Sequence, residues 1–76
     1  MTIKGSYKMD DNFVTVFDDA AKTVYTEALS TGEWRSVSVG ERTAMGSILT
    51  ADDYAELRSG CTEAGAFDIE LSAASC

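Results

Sequence analysis

The chain has 76 residues, of which 13 are acidic and six are basic, so its formal net charge is −7. This length predicts a single compact domain over residues 1–76 with a small core, and an apolar share of 45% argues against disorder. Such an acidic chain is repelled by nucleic acid and by anionic membranes and is attracted to basic surfaces, unless the charge serves only solubility. The lack of histidine excludes Ser-His and Cys-His nucleophiles and imidazole metal ligands.

The first two predicted elements form a β-hairpin. Residues 2–9 alternate loosely in polarity, as in a half-buried edge strand with Ile3 and Tyr7 on one face. Residues 10–12 have the Asp-Asp-Asn composition of a tight turn. Residues 13–17 are all β-branched or aromatic and predict the second strand.

Residues 18–29 allow two interpretations. Apolar residues at 21, 24, 25, 28 and 29 define a helical face, with Asp18 or Asp19 as the N-cap and Gly32 just beyond the end. Alternatively, residues 23–26 are strand formers that follow a hairpin loop. Because the apolar pairs at 24/25 and 28/29 break strict alternation, the pattern favours the helix by a small margin.

The middle of the chain predicts a strand and then a mobile loop. Residues 34–39 place Trp34 on one face and Val37 on the other. Residues 40–48 contain two glycines and no clean period, and Met45 and Ile48 are their expected apolar anchors.

The clearest helix begins at Thr50. This threonine is a suitable N-cap residue, and Asp53 follows three positions later. Leu49 and Tyr54 have the spacing of a hydrophobic staple. The helix is expected either to close at a left-handed Gly60 or to continue to residue 65.

A helix that continues to residue 65 would have a buried side and an acidic side. Asp52 and Glu56 on the acidic side repel each other at i,i+4, so the stripe is either kept for a partner or is a solvated face, which is favoured. The predicted buried set is Tyr54, Leu57, Cys61 and Ala64, and the predicted acidic stripe is Asp52, Glu56 and Glu63.

The last predicted strand covers residues 66–71, with Phe67, Ile69 and Leu71 facing the core and Asp68 and Glu70 facing outward. The predicted fold class is α+β. It has a small antiparallel sheet of about four strands packed against one or two helices, in the chain order β-β-α-β-α-β.

Most of the negative charge is expected on the C-terminal helix and strand. From residue 43 onward there are six acids and one base, Arg58. Trp34, Tyr54 and Met45 are candidate anchors for a partner if they are exposed, although core packing is favoured for Trp34 and Tyr54. The predicted partner-binding acids are Asp52, Asp53, Glu56, Glu63, Asp68 and Glu70.

No motif in the sequence predicts catalysis, a cofactor or a metal site. The paired carboxylates at 10/11, 18/19 and 52/53 are of the kind that cap turns and helices or stay solvated. Cys61 and Cys76 could be joined by one disulfide. The sequence favours the alternative, in which Cys61 is a core residue and Cys76 is a free thiol near the end of the chain. The first residues lack the apolar run of a signal peptide, so we expect a cytoplasmic protein without a membrane segment.

These features favour a non-catalytic inhibitor whose acidic face occupies a basic, nucleic-acid-binding surface on a protein partner, without binding nucleic acid itself. Small size, acidity and the lack of catalytic residues resemble the profile of phage-encoded inhibitors of bacterial defence, such as anti-CRISPR proteins, although no motif identifies a family. The alternative is a homodimeric accessory or assembly subunit that pairs through an edge strand, for which the first strand is the candidate.

Overall fold

The computed structural model of the protein describes residues 1–43, 45–61 and 63–70. These residues contain five strands and one helix in the chain order β-β-β-β-α-β. The α+β class is therefore confirmed, but the predicted order is wrong at its third element, which is a strand. The elements are β1 (Thr2–Met9), β2 (Phe13–Asp18), β3 (Thr23–Ala28), β4 (Glu33–Ser38), α1 (Ala51–Ser59) and β5 (Glu63–Asp68).

All five strands form one antiparallel sheet in the order β4-β3-β2-β1-β5. The first four strands follow one another as a meander, and the chain then passes through α1 to pair β5 with β1. The predicted β1–β2 hairpin is confirmed, but the prediction that β1 is an edge strand is wrong, because β1 lies between β2 and β5. Within the described residues, the edges of the sheet are β4 and β5.

The third strand corrects the favoured interpretation of residues 18–29. Thr23–Ala28 pairs with β2 on one side and β4 on the other, and the turn before it contains Lys22 at a positive φ of 51°. Val24 and Tyr25 are only 6% and 7% exposed because both faces of the sheet are covered at this point. A strand buried on both faces shows adjacent apolar residues instead of alternation, which explains the misleading pattern.

Two hydrophobic clusters lie on opposite faces of the sheet. The first extends across the whole sheet, from Trp34 on β4 to Ile69 just after β5. Core packing of Trp34, which the sequence favoured, is confirmed, and Ile69 faces the core as predicted, whereas Leu71 lies outside the described residues. The first cluster contains Ile3, Val14, Val16, Tyr25, Trp34 and Ile69; the second contains Phe17, Val24, Leu49, Tyr54 and Cys61.

The start of α1 agrees with the sequence in detail. The Thr50 hydroxyl oxygen accepts a hydrogen bond of 3.1 Å from the Asp53 amide, which satisfies one of the free N–H groups of the first turn. Leu49 and Tyr54 are each 4% exposed and belong to the same cluster, so the hydrophobic staple is confirmed. These two residues fix the angle at which the chain enters the helix.

The end of α1 confirms the predicted closure at Gly60 but not its predicted left-handed conformation. The helix stops at Ser59, and Gly60 has φ −81°, which is right-handed. Glu63 therefore belongs to β5, and the predicted acidic stripe through Asp52, Glu56 and Glu63 on one helix is wrong. Leu57 is 43% exposed, so its placement in the core is also wrong.

The segment before α1 is anchored by a different residue from those predicted. Met45 and Ile48 are 91% and 44% exposed, so neither is an anchor, and Leu49 is the buried residue. Main-chain bonds join Thr43 to Ser47 and Leu49 to Glu41, and they close this loop on itself. In the part of the chain described, no helix has the length and apolar character needed to cross a bilayer.

Candidate functional site

The helix α1 is attached to the sheet through one buried aromatic side chain. Tyr54 packs edge-on against Phe17, with ring centroids 5.6 Å apart, and its hydroxyl donates a 2.7 Å hydrogen bond to Oδ1 of Asp19. The Lys22 ammonium lies 5.5 Å from the centroid of the Tyr54 ring. Tyr54 is the only residue of α1 that is buried, so most of the remaining surface of the helix faces solvent.

The one basic residue of α1 completes this attachment. Nε of Arg58 donates to both carboxylate oxygens of Asp19 at 3.2 and 3.1 Å, and its terminal nitrogen lies 3.1 Å from Oδ2. Hydrogen bonds from Arg58 and then from Tyr54 hold the pKa of Asp19 below its usual value. Burial, followed by the hydrogen bond to Asp19, raises the pKa of Tyr54. The charge of Arg58 is therefore directed toward the β2–β3 turn and away from the outer surface of the helix.

The outer surface of α1 is acidic. Asp52, Asp53 and Glu56 are exposed, and no basic side chain of the described residues forms a salt bridge with any of them. The first two lie in the first turn, where the positive end of the helix dipole stabilises a carboxylate. Glu56 lies one turn after Asp52, so these two like charges repel each other. We refer to Asp52, Asp53 and Glu56 as the helix acidic patch.

A half-exposed apolar side chain borders the helix acidic patch. Leu57 lies one turn after Asp53, at i,i+4, which makes it a neighbour of Asp53 on the helix surface. Sequence reasoning missed this residue as a surface feature because it assumed a longer helix. Leu57 lies on the same side of α1 as Tyr54, three positions later, yet it is 43% exposed, so the buried side of the helix is narrow.

The other predicted acids lie elsewhere. Glu63 is on β5 opposite Tyr7, whose hydroxyl donates a 2.8 Å hydrogen bond to Oε2 of Glu63 and whose pKa is raised by that bond. Asp68 is five residues further along β5 and therefore points to the opposite face of the sheet. One of its oxygens lies 3.4 Å from the N-terminal nitrogen of Met1. Glu70 is exposed beyond the end of the strand.

The three candidate anchor residues also lie in different environments. Trp34 and Tyr54 are 9% and 4% exposed and serve the two cores, whereas Met45 is almost fully exposed. Cys61 is buried in the cluster beneath α1, and the predicted choice between a disulfide and a free thiol involves Cys76, which lies outside the described residues.

The helix acidic patch and the neighbouring Leu57 are the main surface features of α1. The part of the chain that the structure describes contains no group of three or more carboxylate or thiol side chains placed to hold a metal ion. A comparison with family models, curated proteins and solved structures found no match.

Proposed function

We propose that the protein is a non-catalytic interaction module of the cytoplasm that occupies a basic, nucleic-acid-binding surface of a larger protein complex and so inhibits it. The observation that supports this most is the helix acidic patch. The Asp19 carboxylate binds Arg58, so the single base of α1 does not neutralise Asp52, Asp53 or Glu56.

The attachment of α1 to the sheet does not use these three charges, although the helix dipole favours the two in the first turn. Thr50 caps the helix through its own hydroxyl group, and Tyr54 and Arg58 attach the helix to the sheet. Neutral residues at positions 52 and 56 would remove a repulsion within the helix. A partner with a basic surface would offset this repulsion on binding.

A basic partner would gain both rate and specificity from this surface. Complementary charges steer two proteins together and make association fast and dependent on ionic strength. Leu57 adds a half-exposed apolar contact beside the charges, and burying such a contact stabilises a complex after the encounter. An acidic patch on a rigid helix would then compete with the phosphate groups that the partner normally binds.

The test combines capture with competition. The tagged protein is used to capture partners from host-cell lysate, and bound proteins are eluted with a salt gradient and identified. A captured basic protein is then purified, and its binding to a labelled oligonucleotide is followed by fluorescence anisotropy as the protein is added. Displacement of the oligonucleotide at low salt, weakening as salt rises, is the expected result.

A pair of matched variants ties the effect to the helix acidic patch. The double variant Asp52→Asn, Glu56→Gln removes two charges from the patch, and Glu27→Gln, Glu33→Gln removes two charges at the opposite end of β3 and β4. We expect the first variant to lose displacement and the second to retain it. Equal losses in both variants would show that net charge alone is responsible, and the proposed site would be rejected.

A second candidate function is supported by the edges of the sheet. Within the described residues β4 pairs only with β3, so its outer edge is free to pair with a second copy of the chain. Of the two described edges, β4 and β5, we take β4 in place of the predicted β1 and keep the homodimeric assembly subunit as the alternative. A concentration-dependent dimer that persists at high salt in analytical ultracentrifugation, without capture of a basic partner, would favour it.

A further inference from the structure

Two turns lie side by side at the end of the sheet that is remote from α1. The turn between β1 and β2 is held by Asp10, whose Oδ1 accepts 2.8 Å hydrogen bonds from the amides of Asn12 and Phe13. The turn after β3 is closed by a 2.7 Å bond from the Gly32 amide to the Ala28 carbonyl. The Leu29 amide donates to the Asn12 carbonyl at 2.9 Å and joins the two turns. This end of the sheet is therefore preorganised.

An open cavity of about 440 Å³ lies between these turns. Its apolar wall is formed by Phe13, Ala28 and Leu29, and the first and last of these are each 45% exposed. Asp11 is the one charged residue that lines the cavity. The neighbouring Asp10 is engaged in its own turn, whereas no hydrogen bond to the Asp11 carboxylate occurs within the described residues.

We propose that this cavity binds an arginine side chain presented by a protein partner. An arginine combines a hydrocarbon stem, which matches the apolar wall of the cavity, with a planar cation, which matches the carboxylate of Asp11. The stem would lie against Ala28 and Leu29, and the guanidinium would stack on the Phe13 ring and donate to the Asp11 carboxylate. No base lines the cavity, and the net charge of −7 favours a cationic occupant over a neutral or anionic one.

The proposal goes beyond the function assigned to the helix acidic patch and does not depend on it. The patch lies on α1, which packs near the β2–β3 turn, and the cavity is at the opposite end of these strands. A partner with an arginine-rich surface would meet both sites, but each is tested by a different variant.

The test is a titration of the full-length, ¹⁵N-labelled protein with acetyl-arginine amide, followed by amide chemical shifts at constant ionic strength. Acetyl-lysine amide is the matched cation, because it has the charge and a hydrocarbon stem without the planar group. We expect saturable shifts at Asp11, Asn12, Phe13, Leu29 and Ser30, with weaker binding of the lysine compound. Asp11→Asn should weaken arginine binding about threefold to fivefold, as for an exposed charge pair.

Asp52→Asn is the control, since it removes the same charge from α1 and should leave arginine binding at the cavity unchanged. Shifts that spread over all acidic residues without saturation, or that are equal for the two cations, would overturn the proposal. The same conclusion would follow if Asp11→Asn and Asp52→Asn weakened binding equally. Loss of the cavity effect with intact oligonucleotide displacement would reject this inference and leave the function of the helix acidic patch standing.

Discussion

The attachment of α1 to the sheet leads to a direct prediction about two residues three positions apart. The structure buries Tyr54 to 4% exposure and leaves Leu57 at 43%. Truncation of each to alanine should therefore have very different effects on the free energy of unfolding. We expect Tyr54→Ala to be severely destabilising and Leu57→Ala to be mild.

The magnitudes follow from burial. Loss of a fully buried aromatic side chain costs about 3–5 kcal/mol, and Tyr54 also loses its contact with Phe17 and its bond to Asp19. Full burial of a leucine side chain is worth about 1.5–3 kcal/mol, so a side chain that is roughly half-buried should cost about 1 kcal/mol. A domain of this length has a total stability of about 4–11 kcal/mol, so Tyr54→Ala removes a large part of it.

Urea denaturation followed by the fluorescence of Trp34, which lies in the other cluster, measures both variants against the wild type. A loss of about 1 kcal/mol corresponds to a shift of roughly 4–8 °C in Tm for a domain of this size, which provides an independent check. If Leu57→Ala destabilised the protein as much as Tyr54→Ala, the helix would be packed on a broader face than the structure shows. The reasoning about the free outer surface of α1 would then be refuted.

Three further predictions concern the contact between α1 and Asp19 and the close approach of β1 to β2. Tyr54→Phe keeps the ring but loses the hydrogen bond to Asp19, so the free energy of unfolding should fall by about 1 kcal/mol. Because the pKa of Tyr54 is raised in the fold, the folded state favours the neutral hydroxyl, and the wild type should lose stability as pH rises above 10, the ordinary tyrosine value. The variant should lose less stability over the same range. The pKa of Asp19 is lowered in the fold, so its contribution to the free energy of unfolding is present above pH 3.8 and is lost as pH falls through the pKa of the folded state. In Asp19→Asn, denaturation curves measured across this acid range should lack that part of the pH dependence. Gly5→Ala should destabilise by about 1–3 kcal/mol, because its Cβ would clash with the Phe17 carbonyl oxygen, whereas Gly65→Ala on the paired strand meets only side chains and should be milder in thermal melts; the reverse order would contradict the backbone approach seen at residue 5.

Local signals in the sequence identify the elements whose partners are near in the chain. The Asp-Asp-Asn turn and the β-branched run after it predict the β1–β2 hairpin, which the structure confirms. Thr50 and the pair Leu49 and Tyr54 predict the start of α1 equally well, since capping and the staple involve only neighbouring residues. The acids of the helix acidic patch are also placed on an exposed helix surface, as the sequence indicated.

Non-local pairing decides the features that sequence reasoning missed. Apolar residues in 23–28 recur with a helical period. The segment is nevertheless a strand, because β2 and β4 provide hydrogen bonds along both of its edges and a hydrophobic cluster covers each of its faces. Glu63 fits a longer helix by local pattern, yet β1 offers it a strand partner from residues far away in the chain. The division of the predicted acidic face follows directly, because a strand directs alternate side chains to opposite faces.

The sequence by itself thus determined the composition of the surface, the hairpin and the start of the helix, all of which depend on charge count or on contacts within a few residues. Only the tertiary structure decided that Arg58 is bound to Asp19, that Leu57 is exposed and that the two turns border an open cavity beside Phe13 and Leu29. The Arg58–Asp19 contact and the cavity each bring together residues that lie more than a dozen positions apart in the chain. Their proximity is set by the strand order of the sheet, for which no local pattern carries a signal.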